Sequence, residues 1–255
     1  MPIKAIVMPR NNKGSNSHRF DEDFFDSGKQ VPGGFSSYSF DKYFAVFRPL
    51  CRTIIKHFNP KRVLDVGCAK GSLVCAFRDL GVDAFGVDVS QYAISSAPAF
   101  LQSSLYVVDL DRDSLPFENG FFDFVTFLGA IEYLRDHRHA IAELERVMVD
   151  GGSLLLTTIF KRPKGDVYRV NVHTKSIWLK EFGKSWVSSS VYSSFMSTCF
   201  SNSATSSSVL DKAKKLLFGK SRFSDRFFCS LYDLFVRLHL LSYGVILLTL
   251  HKNGQ

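Results

Sequence analysis

Three carboxylates and two glycines carry the clearest chemical signal in the chain. Asp65 lies in the apolar run Val63-Leu-Asp-Val66, two residues before Gly67, and Gly71 follows four residues later. Asp88 closes a second apolar run, Ala84-Phe-Gly-Val-Asp88, and Asp109 closes a third that begins at Leu105. Glycine in such a turn lets a ligand approach the backbone without a Cβ in the way. A strand that feeds a helix through that turn places the ligand at the helix N-terminus, at the carboxyl end of the strands. The spacing is G-x-x-x-G, whereas a dinucleotide fingerprint reads G-x-G-x-x-G. An acid beside the turn is poorly suited to a pyrophosphate and well suited to an ammonium group. An acid in the place of Asp88 accepts both hydroxyls of a ribose, and Asp109 with the backbone at Leu110 is placed to read an adenine edge. Together the three acids describe a nucleoside that bears a cation and lacks phosphates.

The elements that must position these groups alternate. Short apolar runs at 62–66, 84–88, 105–108, 122–128 and 153–159 read as strands. Between them, residues 72–80, 91–97 and 136–148 show helical spacing, as does 41–57, where Phe44, Phe47, Leu50, Cys51 and Ile54 recur. Such alternation predicts an α/β fold: a doubly wound, mostly parallel, seven-stranded Rossmann-like sheet. A sixth strand is expected at 186–192 and a last, antiparallel one at 243–251. The expected organisation is a flexible N-terminus and helical cover (1–58, with 1–30 flexible), a cofactor-binding core (59–160) and a substrate-side segment (161–255). The last holds a loop at 161–169, a Ser-rich insertion at 201–208, and basic helices at 209–218 and 226–240.

These motifs resemble the class I S-adenosylmethionine-dependent methyltransferases. The resemblance rests on V-L-D-V-G-C-A-K-G (63–71), G-V-D-V-S (86–90), V-V-D-L-D-R-D-S-L-P-F (107–117), F-D-F-V-T-F-L-G-A-I-E-Y-L (122–134) and E-L-E-R-V-M-V-D-G-G (143–152). It implies S-adenosylmethionine as cofactor, framed by Asp65, Gly67, Cys68 and Gly71 at the methionine end. Asp88 and Val89 hold the ribose, Asp109 and Leu110 flank the adenine, and Leu128 and Gly129 lie beside the sulfonium. The family usually carries Glu-His where this chain has Glu132-Tyr133, which removes an imidazole from the neighbourhood of the methyl group.

The acceptor is less legible, because methyl transfer mainly requires two reactants held about 3–3.5 Å apart and aligned. No Asp-Pro-Pro-Tyr type motif follows the fourth strand, no Pro-Cys pair occurs, and the ends of the fourth and fifth strands, at Gly129 and Thr157-Thr158, lack the carboxylates of a magnesium-dependent site. No metal is expected. The segments Gly33-Gly34-Phe35 with Tyr38 to Tyr43, and Val170 to Trp178, resemble the covers of sugar and natural-product methyltransferases. The expected acceptor is an oxygen or nitrogen of a small molecule. His173 is the candidate base, since histidine titrates near neutrality; its alternative role is to brace a loop. Tyr133 either orients the acceptor or packs.

The chain has 255 residues and a formal charge of +8. Residues 161–255 carry 15 lysines and arginines against 5 acids, and the first 160 residues 17 against 19. This asymmetry points to an anionic partner, with Lys212, Lys214, Lys215, Lys220, Arg222 and Arg226 as the basic cluster. An anionic or membrane-associated acceptor, an RNA or protein substrate, and a non-catalytic scaffold are the competing expectations, RNA being the less favoured partner. Five cysteines without a C-x-x-C pair, and no apolar stretch of the roughly 18 residues that would span a membrane, point to a cytoplasmic protein, with a position peripheral to a membrane as the alternative.

Overall fold

In a computed structural model, the structure describes residues 16–26, 38–162, 164, 166–189 and 243–252. Seven strands form one sheet: β1 (Arg62–Val66), β2 (Asp83–Asp88), β3 (Leu105–Val107), β4 (Phe122–Leu128), β5 (Met148–Ile159), β6 (Trp186–Ser188) and β7 (Tyr243–Leu250). Their order is β3-β2-β1-β4-β5-β7-β6. The first five pair in parallel, and β7 runs antiparallel to both β5 and β6. The expected sheet, including its antiparallel last strand, is present.

The strand order reverses between β1 and β4. Successive crossovers leave from that point to opposite sides, which opens a crevice at the carboxyl ends of the strands. The pleat of β1 alternates its side chains between two apolar layers. Val63 joins Cys51, Ile54, Leu73, Val74 and Phe77 from α2 (Phe40–Phe58) and α3 (Ser72–Asp79). Leu64 and Val66 join Ile141 and Leu144 of α5 (His137–Val147), with Trp178 and Phe182 of α6 (Lys175–Phe182). Asp65 therefore shares the face of Val63 although it is an acid.

Local chemistry sets the helix ends. The Ser39 side chain accepts from the Lys42 N–H and starts α2, while Asn59, left-handed at φ 45°, ends it before Pro60. Ser90 caps α4 (Gln91–Ser95) and Asp136 caps α5 in the same way.

Four expectations need correction. The stretch 1–30 is expected to be flexible, yet residues 16–26 are built into the fold: Asp21 caps a one-turn helix α1 (Glu22–Phe25), and Phe20, Phe24 and Phe25 are buried. Those phenyl groups find an apolar home only in the folded chain. Strand β5 starts at Met148, not at residue 153, because Met148 pairs with Phe122 before the ladder shifts register at the Asp150-Gly-Gly turn. Strand β6 ends at Ser188, short of the expected 192. Helix α6 was not expected; the Thr174 side chain accepts from the Ile177 N–H to begin it, and fully buried Trp178 anchors it. The Gly33-Gly34-Phe35 segment, the Ser-rich insertion, the two basic helices and the basic cluster lie outside the described residues. No helix among the described residues is long and apolar enough to cross a membrane.

Candidate active site

A cavity of about 550 Å³ fills the crevice. Its floor is the carboxyl edge of the sheet. Asp65, Val66, Gly67, Cys68 and Ala69 come from the end of β1 and its turn, Asp88 and Val89 from β2, Asp109 and Leu110 from the residues after β3, and Leu128 and Gly129 from β4. Its roof is aromatic: Phe20, Phe24, Phe25, Tyr38, Tyr43 and Phe47 from the N-terminal segments, and Tyr133 from the turn after β4.

The glycine turn is built without slack. A Cβ on Gly67 would sit 2.5 Å from the Ala130 Cβ, and the residue has φ +73°. Four of its amides are already committed. Gly67 and Cys68 donate to the Val87 carbonyl at 2.8 and 3.1 Å, Ala69 donates to Asp88 Oδ2 at 2.8 Å, and Gly71 donates to the Cys68 carbonyl at 2.8 Å. A phosphate cradle needs free N–H groups, and these four are spent.

The acids are presented differently. Asp88 is fixed by two backbone donors, Ala69 N–H to Oδ2 and Ser90 N–H to Oδ1, each 2.8 Å. That leaves further lone pairs on both oxygens for paired hydroxyls. Asp65 accepts from the Thr126 hydroxyl at 2.7 Å through Oδ1, and its other oxygen has no partner among the described residues. Burial pushes its carboxyl up to about 7, with Asp88 adding to the rise and Thr126 opposing it. A buried carboxylate without a cation beside it has the chemistry of a site that awaits one. Asp109 accepts from Asp111 N–H at 3.2 Å and lies 3.5 Å from the Arg112 guanidinium, so it shapes the loop after β3. A nucleoside with an ammonium group and no phosphate, S-adenosylmethionine included, fits these donors and acceptors.

Two expected residues stand elsewhere. Gly71 does not line the cavity. It has φ +77°, and a Cβ there would meet Leu101 at 2.7 Å and Leu105 at 2.9 Å, so its smallness serves packing at the start of α3. His173 is also absent from the lining. Its ring packs edge-on against Trp178, 5.0 Å away, and lies 5.8 Å from His137. Burial, with the neighbouring His137, lowers its pKa. None of residues 170–178 lines the cavity, and the strip is tied to the turn after β4, where Val170 and Asn171 N–H donate to the Glu132 carbonyl at 2.8 and 3.0 Å.

Tyr133 does line the cavity. Its ring meets Phe20 edge-on at 5.4 Å and lies under the Arg169 guanidinium at 4.9 Å. Arg169, Glu132, Asp111 and the three buried phenyl groups of residues 20–25 are site residues that sequence reasoning missed. Phe20 and Phe24 are four apart, a helical spacing inside a polar stretch, and that signal was readable. Nothing local marks Arg169.

Comparison with known proteins agrees with the geometry. A family described as a methyltransferase domain matches residues 64–156. A malonyl-[acyl-carrier protein] O-methyltransferase of Pseudescherichia vulneris is 31% identical over 101 residues, 40% of each chain. A ubiquinone biosynthesis O-methyltransferase of Thiobacillus denitrificans is 32% identical over 108 residues, 41% of this chain and 47% of that one. A demethylmenaquinone methyltransferase of Thermus thermophilus is 30% identical over 119 residues, 44% of this chain and 54% of the relative. The matched stretch thus spans about half or less of these relatives. Among solved structures, a SAM dependent methyltransferase from Archaeoglobus fulgidus shares the fold with a TM-score of 0.51 at 15% identity, over 83% of this chain and 94% of that one. The YcgJ protein of Bacillus subtilis does so with a TM-score of 0.52 at 20% identity, over 82% of this chain and 100% of its own. Residues 64–156 thus match a methyltransferase domain, and the chain shares its fold with these solved structures.

Proposed function

We propose that this protein is an S-adenosylmethionine-dependent methyltransferase acting on an oxygen or nitrogen of a small molecule. The observation that carries the reading is the acid-lined pocket: Asp65 with an oxygen to spare, Asp88 fixed by two amides, and four amides of the glycine turn already bonded within the protein. When bound, S-adenosylmethionine supplies a methyl group made electrophilic by the sulfonium. The chain's own residues then bind and align. Asp65 takes the ammonium group, Asp88 takes the ribose hydroxyls, and Leu110 and Val89 pack the base and sugar. The aromatic roof shields the site from water and offers a small acceptor apolar walls, and a cavity of about 550 Å³ suits a single ring system beside the nucleoside better than a polymer. The names of the matched relatives, which speak of ubiquinone biosynthesis, demethylmenaquinone and malonyl-[acyl-carrier protein], support a small acceptor group.

The test is calorimetry of the full chain with S-adenosylmethionine and its demethylated product, then transfer of labelled methyl into a cell extract with mass spectrometry of the product. Binding lost in Asp88→Asn and a labelled small molecule are the expected results. Folded protein without affinity for either nucleoside would end this reading.

A further inference from the structure

Five acids line the cavity: Asp65, Asp88, Asp109, Asp111 and Glu132. Among the described residues, Arg169 is the one lysine or arginine that joins them there. It is held firmly. Its Nη1 donates to Asp166 Oδ2 at 2.5 Å, and Asp166 is itself fixed by the amides of Tyr168 and Arg169 at 2.9 and 3.2 Å. Its Nε faces Glu132 Oε1 at 3.5 Å, too long for a good hydrogen bond. Its Nη2 has no hydrogen-bond partner among the described residues. The plane lies over Tyr133, whose ring forms a wall of edges with Phe20 and Phe24.

We propose that Arg169 selects the acceptor: it receives the oxygen of a planar aromatic or enolic hydroxyl as the oxyanion and sets that oxygen toward the methyl donor. The inference deepens the methyltransferase reading and rests on it. A fixed guanidinium with a donor to spare is a poor investment for a neutral aliphatic hydroxyl and a strong one for an oxyanion. The walls agree, since ring edges pack against a flat π-face. So does the shortage of bases. No imidazole lines the cavity among the described residues, Asp65 is committed to the ammonium group in the proposed reading, Asp88 is fixed by backbone, and both Glu132 carboxylate oxygens are enclosed. A hydroxyl without a base must be acidic enough to lose its proton beside a cation. The charged groups facing Arg169 are Asp166 and Glu132, with the Tyr133 phenol beneath it.

The step balances. The acceptor's O–H breaks and its proton passes to solvent water. The oxyanion's electron pair forms the O–CH₃ bond as the S–CH₃ bond breaks, and that bonding pair stays on sulfur. The products are a methyl ether, a thioether nucleoside and one proton.

The test uses para-nitrophenol with the full chain saturated by the demethylated nucleoside, at a pH below the phenol's own pKa. The visible band of the phenolate is expected to grow on binding. Arg169→Gln should abolish it, Arg169→Lys should restore part of it, and nucleoside affinity should hold in both. With phenolic acceptors, kcat/KM should fall about a hundredfold in Arg169→Gln. The paired variant Arg169→Gln/Asp166→Asn removes the acid bonded to Nη1 together with its partner and should behave alike. Nucleoside binding with no phenolate band, or a band untouched by both variants, overturns this inference alone. No nucleoside binding in the unaltered protein overturns the methyltransferase reading and this inference together.

Discussion

The ammonium of Lys70 and the carboxylate of Asp26 form an ion pair that joins the glycine turn to the N-terminal roof. The same carboxylate accepts from the Tyr92 hydroxyl at 2.8 Å and from the Tyr38 N–H at 3.0 Å, while Lys70 also donates to the Tyr38 carbonyl at 3.2 Å. Burial pushes the Asp26 carboxyl up, but the hydrogen bonds from Lys70, Tyr92 and Tyr38 outweigh it and hold it below the usual range. One acid therefore ties the cofactor turn, helix α4 and both ends of the segment around Tyr38 together. Asp26→Asn is expected to lower stability by about 1–3 kcal/mol, since it leaves a partly buried ammonium unpaired. It should also speed nucleoside release several-fold. Denaturant titration and stopped-flow release check the two effects, and a release rate equal to that of the unaltered protein would separate the roof from the cofactor.

The Asp65 carboxyl sets a pH dependence with a definite sign. Its pKa in the folded chain is raised by burial, from 3.8 to about 7. Between those values the folded state holds a proton that the unfolded state has lost, so stability of the unliganded protein falls as pH rises through that window. An ammonium ligand reverses the preference and expels the proton. Nucleoside affinity should rise up to about tenfold per pH unit below 7 and flatten above it. Calorimetry in buffers of different ionisation enthalpy should detect one proton released, and Asp65→Asn should abolish both the slope and the release.

Gly67 and Gly129 make an internal control for crowding. Both have positive φ, +73° and +64°, but a Cβ on Gly67 meets Ala130 at 2.5 Å and one on Gly129 meets nothing within 4 Å. Gly129→Ala should cost about 1 kcal/mol of backbone strain. Gly67→Ala adds a clash worth about 1–3 kcal/mol more and displaces the turn that carries Ala69 onto Asp88. Thermal unfolding and nucleoside affinity should both rank the two variants in that order.

His173→Ala should leave kcat and nucleoside affinity within about threefold, because the ring packs on Trp178 and does not line the cavity. The same substitution should cost about 1 kcal/mol of stability as the edge-on aromatic contact is lost. Steady-state kinetics with any identified acceptor checks this, and a loss of a hundredfold or more in kcat would return His173 to the chemistry.

Much of this fold was written locally. The apolar runs of β1, β2 and β4, the caps Ser39, Ser90 and Asp136, and the acids Asp65 and Asp88 at strand ends depend on neighbours in sequence. Periodicity and turn chemistry reveal them, and they set the sheet and the acids at its carboxyl edge. The roof and the acceptor wall obey no local rule. Phe20 and Phe24 reach Tyr133 across more than a hundred residues, Arg169 meets Tyr133 and Glu132 from a stretch with no helix or strand, and Asp26 finds Lys70 on the far side of α2. Their energies come from desolvation, ring packing and ion pairing between distant segments, which exist only after the chain has closed. His173 shows the converse: its residue type suggested catalysis, and its ring packs against Trp178 and His137, away from the cavity lining.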